Sequence, residues 1–385
     1  MEITGNKYDS LRAVSDHSQD PYANAGVEYS VLDAWKRNAQ MAAARTVLHL
    51  QNRHISELAG TRGESAYVID IGTALLATVT EGLGTKNLVA DAVRPITGRT
   101  HYDDIAQDTI ATILNDLATV GAAPLTLTAF WAAGSSNWFA DSERMSDLVA
   151  GWERACSTAR VAWGGGETQT LLNMIGPETV VLGGSALGFI SPKERLLSGD
   201  RLTEDDAILV APATGIHTNG LTLARKLAAT LPEGYATKVP GDATGRGFGE
   251  VLLDPTPLYG PLVETLQEAR VDLHYAVHVT GHGWRKLMRA ERDMSYVIDA
   301  LPTPPPILTA LQQWAHLSDA EAYGTFNMGA GFALFAPNTQ AASAIRAAKS
   351  SGWDLLPVGH TEHGPRKVVL RPNHVTFEGV SLQIR

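Results

Sequence analysis

A glycine-rich segment at residues 80–86 contains the residue types that hold a phosphate group. It reads TEGLGTK and follows an apolar run that predicts a β-strand. Gly82 and Gly84 allow backbone N–H groups to converge on a phosphate, while Lys86 supplies a positive charge. Glu81 supplies a carboxylate suited to Mg²⁺. The spacing is neither a Walker loop nor G-x-G-x-x-G, so an ordinary turn is the alternative interpretation.

Three polar residues lie inside the next predicted helix, at residues 102–121. Asp108 and Asp116 are eight residues apart and therefore project within about 80° of each other. Asn115 and Asp116 are weak helix formers in mid-helix, where a broken local preference favours function. The alternative is that they only cap or solvate the helix. The pattern predicts one helix face that presents two carboxylates.

Two further segments have the same character. Residues 164–168 read GGGET and are predicted to turn after a short strand. Residues 215–220 read GIHTNG and open a predicted helix that Thr218 or Asn219 could cap. Each segment alone is equally well explained by turn glycines and a cap. Together with the two earlier segments they predict a phosphate-rich cleft between domains.

Helices and strands alternate along the rest of the chain, which predicts the α/β (α+β) class. The polar, turn-rich stretch at 191–205 separates two apolar strands and predicts a domain boundary. We therefore expect an N-terminal extension at 1–30, a first domain at 31–195 and a second at 196–385. Other predicted helices are at 31–50, 141–159, 218–230, 258–270, 284–290 and 307–315, and other predicted strands are at 66–71, 74–80, 125–132, 179–190 and 273–280.

Composition excludes several classes of protein. Cys156 is the only cysteine among 385 residues, which excludes an intramolecular disulfide framework and fits a reducing compartment. A formal net charge of −10 argues against a general nucleic-acid binder. No apolar run has the length of a signal peptide core or a membrane span, so we expect a cytoplasmic protein with no membrane partner. His278 and His282 fit a metal pair less well than a hydrogen-bonded structural role.

In one register from about residue 22 to about residue 370, the chain resembles the aminoimidazole ribonucleotide synthetase family, also called phosphoribosylformylglycinamidine cyclo-ligase. Several matched blocks in order are far more specific than any one of them. The blocks are YANAGVEYSVLDA (22–34), TEGLGTK (80–86), IAQDTIATILNDLATVGAAPL (105–125), GGGET (164–168), GIHTNGLTLARKL (215–227), DPTPLY (254–259), VTGHGW (279–284) and EAYGTFNMGAGFAL (321–334).

The resemblance implies a homodimer of two-domain subunits with mixed sheets packed against helices. It also implies that ATP and Mg²⁺ are used and that the substrate is a small ribonucleotide, formylglycinamidine ribonucleotide. In that family ATP phosphorylates the formyl amide oxygen, a neighbouring amine attacks the activated carbon, and the imidazole ring closes as phosphate leaves. The first domain is then the ATP-binding and dimerisation domain.

Site residues follow from the resemblance position by position. The implied metal ligands are Glu81, Asp108 and Asp116, and the implied catalytic residues are Lys86, Asp116 and His217. The implied nucleotide contacts are Glu81, Gly82, Gly84, Thr85, Lys86, Asn115, Gly165, Gly166, Glu167 and Thr168. The implied substrate contacts are His217, Thr218, Asn219 and Gly220.

The chain departs from the family pattern at four positions. Glu81 stands where the family usually has Asp, Thr218 where it more often has Ser, and His282 where it has Gly. Ala129 stands where relatives commonly carry an Asp. Two alternatives therefore stay open: a relative that activates another amide or acid with ATP, and a catalytically idle nucleotide-binding subunit. A selenophosphate synthetase would need a reactive cysteine in an N-terminal glycine loop, and Cys156 lies in a predicted helix.

Overall fold

The computed structural model describes residues 29–382, which form two sheets covered by helices. The predicted extension at 1–30 lies almost wholly outside this part of the chain. The helices are α1 Tyr29–Ala44, α2 Leu48–Gln51, α3 Lys86–Thr97, α4 Tyr102–Ala118, α5 Ser142–Thr158, α6 Leu221–Ala228, α7 Phe248–Leu252, α8 Gly260–Glu268, α9 Pro306–Trp314, α10 Asp319–Thr325 and α11 Asn338–Ser350. None of the described helices is long and apolar enough to cross a membrane.

The first sheet has six strands in the order β1-β2-β3-β6-β4-β5. Its strands are β1 Ser56–Glu57, β2 Tyr67–Asp70, β3 Leu75–Gly82, β4 Ala123–Ala133, β5 Ala162–Thr170 and β6 Val180–Ile190. The predicted hairpin is confirmed, since β2 and β3 pair antiparallel around a turn in which Gly72 has φ +94°. β3 continues antiparallel along β6 from Leu75 opposite Ile190 to Gly82 opposite Gly183.

The second sheet has seven strands in the order β13-β12-β9-β11-β7-β10-β8. Its strands are β7 Asp206–Pro212, β8 Tyr275–His278, β9 Met294–Ile298, β10 Ala330–Pro337, β11 Leu356–His363, β12 Lys367–Leu370 and β13 Val375–Glu378. Pairing is antiparallel except between β12 and β9. The first sheet ends at Ile190 and the second begins at Asp206, on either side of the predicted boundary.

Helix α4 packs on β3 and β6 of the first sheet and forms the centre of the core. Its apolar residues recur at helical spacing, and Ile105, Ile110, Ile113 and Leu117 are fully buried. Gly121 follows the helix with φ +75°, the left-handed conformation that commonly ends a helix. The predicted helix at 102–121 is therefore confirmed to within three residues at its end.

Three local predictions are wrong. The predicted helix at 31–50 breaks between α1 and α2, where the Thr46 hydroxyl donates to the Ala43 carbonyl at 2.7 Å and competes with the helix. The predicted turn at 164–166 lies inside β5 instead. Neither Thr218 nor Asn219 caps α6, because its N-cap residue is Gly220 at φ +81°.

The glycines of β5 serve a bulge and a close approach rather than a turn. β5 runs parallel to β4, and the register shifts between Leu127 and Ala129. Gly165 has φ +106°, which other residues rarely adopt. A Cβ on Gly166 would lie 2.1 Å from the Ala129 carbonyl oxygen. These glycines therefore let the edge strand lie close against β4.

A buried ion pair joins the two halves of the molecule. Lys86 Nζ, at the start of α3, lies 2.6 Å from the Asp108 carboxylate of α4, and both side chains are 0% exposed. Lys86 also donates to the Asp254 carbonyl at 2.9 Å. Asp108 accepts from the backbone N–H of Thr256 at 2.9 Å and from its hydroxyl at 2.6 Å. The pair therefore holds residues 254–256 of the second half against the first.

Asn115 makes a second polar connection to the second half, about two helical turns after Asp108 on α4. Its side-chain amide donates to the Pro257 carbonyl at 2.9 Å and accepts from the Tyr259 backbone N–H at 2.8 Å. The nitrogen and the oxygen of this fully buried side-chain amide thus both have hydrogen-bond partners. We use "the junction" for Lys86, Asp108, Asn115 and residues 254–259.

We expect Lys86→Met to lower the free energy of unfolding by about 3–5 kcal/mol, because it leaves the Asp108 carboxylate buried without its cation. Burial already raises the pKa of Asp108, and Lys86 opposes that shift. Without Lys86 the folded-state pKa rises further above the unfolded value, so the penalty grows as pH rises through that window. Urea unfolding should therefore show a larger loss at about pH 8 than at about pH 5.

The double variant Lys86→Met, Asp108→Asn is the matched control, because it removes the buried charge as well. It should recover part of the lost stability and most of the pH dependence. An equal loss for Lys86→Met at both pH values would contradict the assignment of a buried, charge-dependent junction.

Candidate active site

A cleft of about 770 Å³ lies between the two domains, beside the junction. The end of β3 and one face of α4 form one wall, and loops from the second domain form the other. From the first domain the cleft is lined by Gly63, Glu64, Ser65, Glu81, Gly82, Leu83, Gly84, Thr112 and Asp116. From the second it is lined by Thr218, Asn219, His278, Thr280, Gly281, His282, Arg285, Lys286, Arg289, Thr325, Val380, Ser381 and Leu382, and Lys36 and Gln40 of α1 complete it.

Glu81 and Asp116 form an acidic side of the cleft. Desolvation and the neighbouring Asp116 charge raise the pKa of Glu81. Asp116 also lies 3.7 Å from Nδ1 of the buried His278. Burial lowers the pKa of His278, and Asp116 opposes that shift. The structure therefore brings two of the three predicted metal ligands together, with a histidine behind one of them.

The acidic side fits a magnesium ion that arrives with phosphate groups. Mg²⁺ is usually bound through one or two carboxylates plus substrate phosphates, and it keeps several waters. Within residues 35–382, no group of three or more His, Cys, Asp or Glu side chains is placed to hold a metal ion. Two carboxylates in one cleft therefore suit a Mg²⁺ ion that is bound jointly by the protein and the substrate phosphates. They do not suit a site made of protein ligands alone.

Lys86, Asp108 and Asn115 lie under the cleft and belong to the junction. Each is fully buried, and each has its polar partners within the protein. Asp108 and Asp116 leave α4 on neighbouring faces as predicted, but only Asp116 reaches the cleft. The metal role of Asp108 and the nucleotide roles of Lys86 and Asn115 stay predictions. The contacts of these residues in the junction involve neither a metal nor a nucleotide.

The GIHTNG segment is divided between the cleft and the protein interior. Thr218 and Asn219 line the cleft, and Gly220 is the N-cap residue of α6. His217 is 1% exposed, with its ring 6.3 Å from the rings of both His278 and Tyr259. Burial, aided by the charges of His278 and Lys86, lowers the pKa of His217 well below its ordinary value. His217 is therefore a neutral imidazole beneath the cleft wall.

The GGGET segment lies on a second concave surface, which we call the sheet groove. This groove has a volume of about 640 Å³ and crosses the open face of the first sheet. Gly166 and Glu167 line it together with hydroxyl groups of Thr80, Thr128 and Ser185. Gly165 and Thr168 lie beside it in β5. Ala129, at the predicted carboxylate position, presents only a methyl group there.

Glu81 and Gly82 line both the cleft and the sheet groove. The segment that contains them leaves β3 at Gly82, and α3 begins at Lys86, so the predicted strand–loop–helix setting is confirmed. Thr85 precedes the first residue of α3 and makes no side-chain cap. The sheet groove and the cleft therefore meet at Glu81 and Gly82.

Sequence reasoning missed the basic side of the cleft. Arg285, Lys286 and Arg289 follow the VTGHGW block on the short 3₁₀ helix Gly283–Met288 and the residue after it. Two arginines and a lysine within five residues of a glycine-containing loop were the available signal. All three side chains line the cleft, as Glu81 and Asp116 of the first domain do.

Comparison with known proteins places the chain in a family. The description "AIR synthase related protein, N-terminal domain" matches residues 63–190, and its C-terminal counterpart matches residues 203–371. A phosphoribosylformylglycinamidine cyclo-ligase of Methanothermobacter thermautotrophicus is 33% identical over 278 residues, 72% of this chain and 78% of that one. The protein of the same name from Carboxydothermus hydrogenoformans is 32% identical over 323 residues, 81% of this chain and 89% of that one.

A solved structure supports the fold. The crystal structure of hydrogenase maturation protein HypE in complex with ATP superposes with a TM-score of 0.53 at 17% sequence identity, covering 71% of this chain and 79% of that one. The two domain descriptions together cover well over half of the residues, in the order in which the two sheets occur. The chain belongs to the AIR synthase family.

Proposed function

We propose that this protein is a ligase that converts formylglycinamidine ribonucleotide to aminoimidazole ribonucleotide in purine biosynthesis, using ATP. Relatives that match most of the chain are named phosphoribosylformylglycinamidine cyclo-ligase. The observation that carries the proposal is the cleft itself, where carboxylates of one domain face cations of the other. Such an arrangement suits transfer of a phosphoryl group between ligands held by the two domains.

ATP is proposed to bind along the sheet groove, with its phosphates at the loop after β3. Gly82 and Gly84 leave room for phosphate oxygens near the backbone, and Gly84 has φ +79° with open space on the side where other residues carry a Cβ. Thr85, Gly165, Gly166, Glu167 and Thr168 are the remaining proposed contacts. Lys86 and Asn115 act by holding α3 and α4 in place from the junction. A protein of the same fold was solved with ATP bound.

Glu81 and Asp116 are proposed to hold Mg²⁺ with the ATP phosphates, and Asp108 orients Lys86 beneath them. When bound, the ion neutralises negative charge that develops as the phosphoryl group moves. Both carboxylates must be ionised for this role. Because the pKa of Glu81 is raised, the Mg²⁺ concentration needed for half-maximal activity should increase as pH falls toward that pKa.

The ribonucleotide is proposed to bind on the side of the second domain. Thr218 and Asn219 offer a hydroxyl and an amide to the cleft, and Gly220 starts α6 directly behind them. Exposed N–H groups at the start of a helix favour an anion such as a ribose 5-phosphate. His217, buried and neutral, supports this loop from below.

The reaction follows from this division of ligands. The formyl amide oxygen forms a bond to the γ-phosphorus as the bond to the β,γ-bridging oxygen breaks, and its electron pair leaves with ADP. The amide N–H proton is released to solvent. The neighbouring amine then attacks the activated carbon, the bond from that carbon to the phosphorylated oxygen breaks, and the proton lost by the amine leaves with the phosphate as the ring closes. Amide oxygen is a poor leaving group, so converting it to a phosphate ester lowers the barrier.

The protein is further proposed to be a cytoplasmic homodimer in which the second copy packs on the open face of the first sheet and covers the sheet groove that holds ATP, which Phe130 and Val181 also line. Phe130, Val181 and Phe189 are 36–48% exposed there, an unusual number of large apolar side chains for one sheet face. In a dimer with two-fold symmetry, the two copies would present this same face to each other. Light scattering should give twice 41.1 kDa, and Phe130→Glu should halve that mass.

The cytoplasmic location is supported by Cys156, whose thiol is buried and forms no disulfide. Cell fractionation tests this location.

Glu81→Gln and Asp116→Asn should each lower turnover at least tenfold while the protein stays folded, because each removes a charge from the metal-binding side. Glu81→Asp should retain part of the activity, since the carboxylate is kept and only its reach is shortened. Product formation is measured by mass, with ATP, Mg²⁺ and formylglycinamidine ribonucleotide. Asp354→Asn, at an exposed ion pair with Lys349, is the control.

Full activity and normal Mg²⁺ dependence in Glu81→Gln or Asp116→Asn would remove that residue from the proposed metal site. Absence of any product with the unmodified protein, with ATP still bound, would overturn the ligase proposal. Activation of another amide or acid, or an idle nucleotide-binding subunit, would then explain the cleft better.

Asn219→Ala should raise the KM of the ribonucleotide about tenfold or more, because a hydrogen bond to a charged phosphate contributes about 1.5–3 kcal/mol. The KM of ATP should change little, since ATP is proposed to lie in the sheet groove. Steady-state kinetics with each substrate varied in turn makes the comparison. An equal rise in both constants would place the loop on the nucleotide side instead.

A further inference from the structure

Lys286 is a charged residue of the cleft to which the proposed function assigns no role. It lies on the 3₁₀ helix Gly283–Met288 of the second domain, and its side chain reaches the cleft. The charges of Asp116 and Glu81, across the cleft in the first domain, act on its amine. Within residues 35–382 the amine is affected by neighbouring charges but forms neither an ion pair nor a hydrogen bond.

The two arginines beside Lys286 already have partners. Arg289 donates to the Ser65 hydroxyl at 2.8 Å and to the Gly63 carbonyl at 3.0 Å, and it lies 3.1 Å from the Glu64 carboxylate. Arg285 donates to the Gly324 carbonyl at 3.1 Å. These guanidinium groups hold the walls of the cleft. Lys286 is therefore the member of the basic side whose charge is available to a ligand.

The ammonium group of Lys286 is partly desolvated in this position, which strengthens its attraction for an anion in the cleft. Burial lowers the pKa of Lys286 to about 8, with Arg289 adding to the shift and Asp116, Glu81 and Glu64 opposing it. The group thus stays mostly protonated near neutral pH without a bonded partner. The side chain is only partly buried and lines the cleft, so its ammonium can exchange water for an anionic ligand there. The missing partner is expected to be an anion in the cleft.

We propose that Lys286 is a catalytic residue that binds the phosphoryl group during its transfer from ATP to the amide oxygen. The proposal rests on the proposed function. Glu81 and Asp116 approach that group from the ATP side and Lys286 approaches from the domain that holds the ribonucleotide, so Lys286 lies opposite the carboxylates.

The contribution of Lys286 is electrostatic. As the bond from phosphorus to the β,γ-bridging oxygen breaks and the bond to the amide oxygen forms, negative charge spreads over the three remaining phosphoryl oxygens. The Lys286 ammonium stabilises that charge and neither gives nor takes a proton. It differs from Lys86, whose ammonium is already bonded to Asp108 and to the Asp254 carbonyl.

The test compares Lys286→Met, Lys286→Gln and Lys286→Arg with the unmodified protein, and Lys349→Met is the matched control. Lys349 is 73% exposed and pairs with Asp354 at 2.8 Å. Neither residue lines the cleft. Product formation gives kcat and both KM values. Calorimetry measures the binding of ADP with aluminium fluoride, which imitates the phosphoryl group in transfer, and of a non-hydrolysable ATP analogue.

We expect Lys286→Met and Lys286→Gln to lower kcat about a hundredfold or more, the usual loss when one preorganised group for a developing charge is removed. Both KM values should stay within about threefold, and binding of ADP with aluminium fluoride should weaken far more than binding of the ATP analogue. Lys286→Arg should recover part of kcat, because it restores the charge with a different shape. Lys349→Met should match the unmodified protein.

Three results would overturn the proposal while the unmodified protein still makes the product. The first is an unchanged kcat in Lys286→Met or Lys286→Gln. The second is a higher KM for the ribonucleotide at unchanged kcat, which would assign Lys286 to the ribose phosphate. The third is equal weakening of both nucleotide complexes, which would indicate a structural role. Failure of the unmodified protein to make product would instead count against the proposed function.

Discussion

The buried pair of Lys86 and Asp108 is the constraint on which the geometry of the cleft depends. It ties the start of α3 to the middle of α4, and it ties both to residues 254–256 of the second domain. A buried ion pair adds little net stability, but it keeps the contact formed, because either charge buried without its partner would strongly destabilise the fold. Asn115 repeats the connection at Pro257 and Tyr259. The two domains are thereby held in one relative position.

The position of the functional groups follows from that connection. Glu81 lies five residues before Lys86, at the end of β3, and Asp116 lies eight residues after Asp108, a little over two helical turns along α4. Both carboxylates are therefore carried on the elements that the junction fixes. Across the cleft, Arg289 ties the 3₁₀ helix that carries Lys286 to residues 63–65 of the first domain. Opposite charges thus face each other across a fixed gap, which suits stabilisation of a phosphoryl group without reorganisation.

Sequence patterns predicted what depends on local structure. The periodicity of Ile105, Ile110, Ile113 and Leu117 identified α4, and the apolar runs around Gly72 identified the hairpin. The glycines at 164–166 were misread as a turn, because a bulge against Ala129 depends on the register of a neighbouring strand. The Lys86–Asp108 contact to residues 254–256 joins positions about 150 to 170 apart, and no local pattern indicates it. Sequence could place Asp108 and Asp116 on one helix but could not tell which of them reaches the cleft.

Transfer of the phosphoryl group to the formyl amide oxygen is the central claim, and the fate of that oxygen tests it most directly. Formylglycinamidine ribonucleotide carrying ¹⁸O in the formyl group is converted by the purified protein with ATP and Mg²⁺, and the inorganic phosphate is analysed by mass. The account predicts that each phosphate released with aminoimidazole ribonucleotide carries one ¹⁸O atom. Release of unlabelled phosphate alongside the ring-closed product would show that the amide oxygen leaves by another route and would contradict the account.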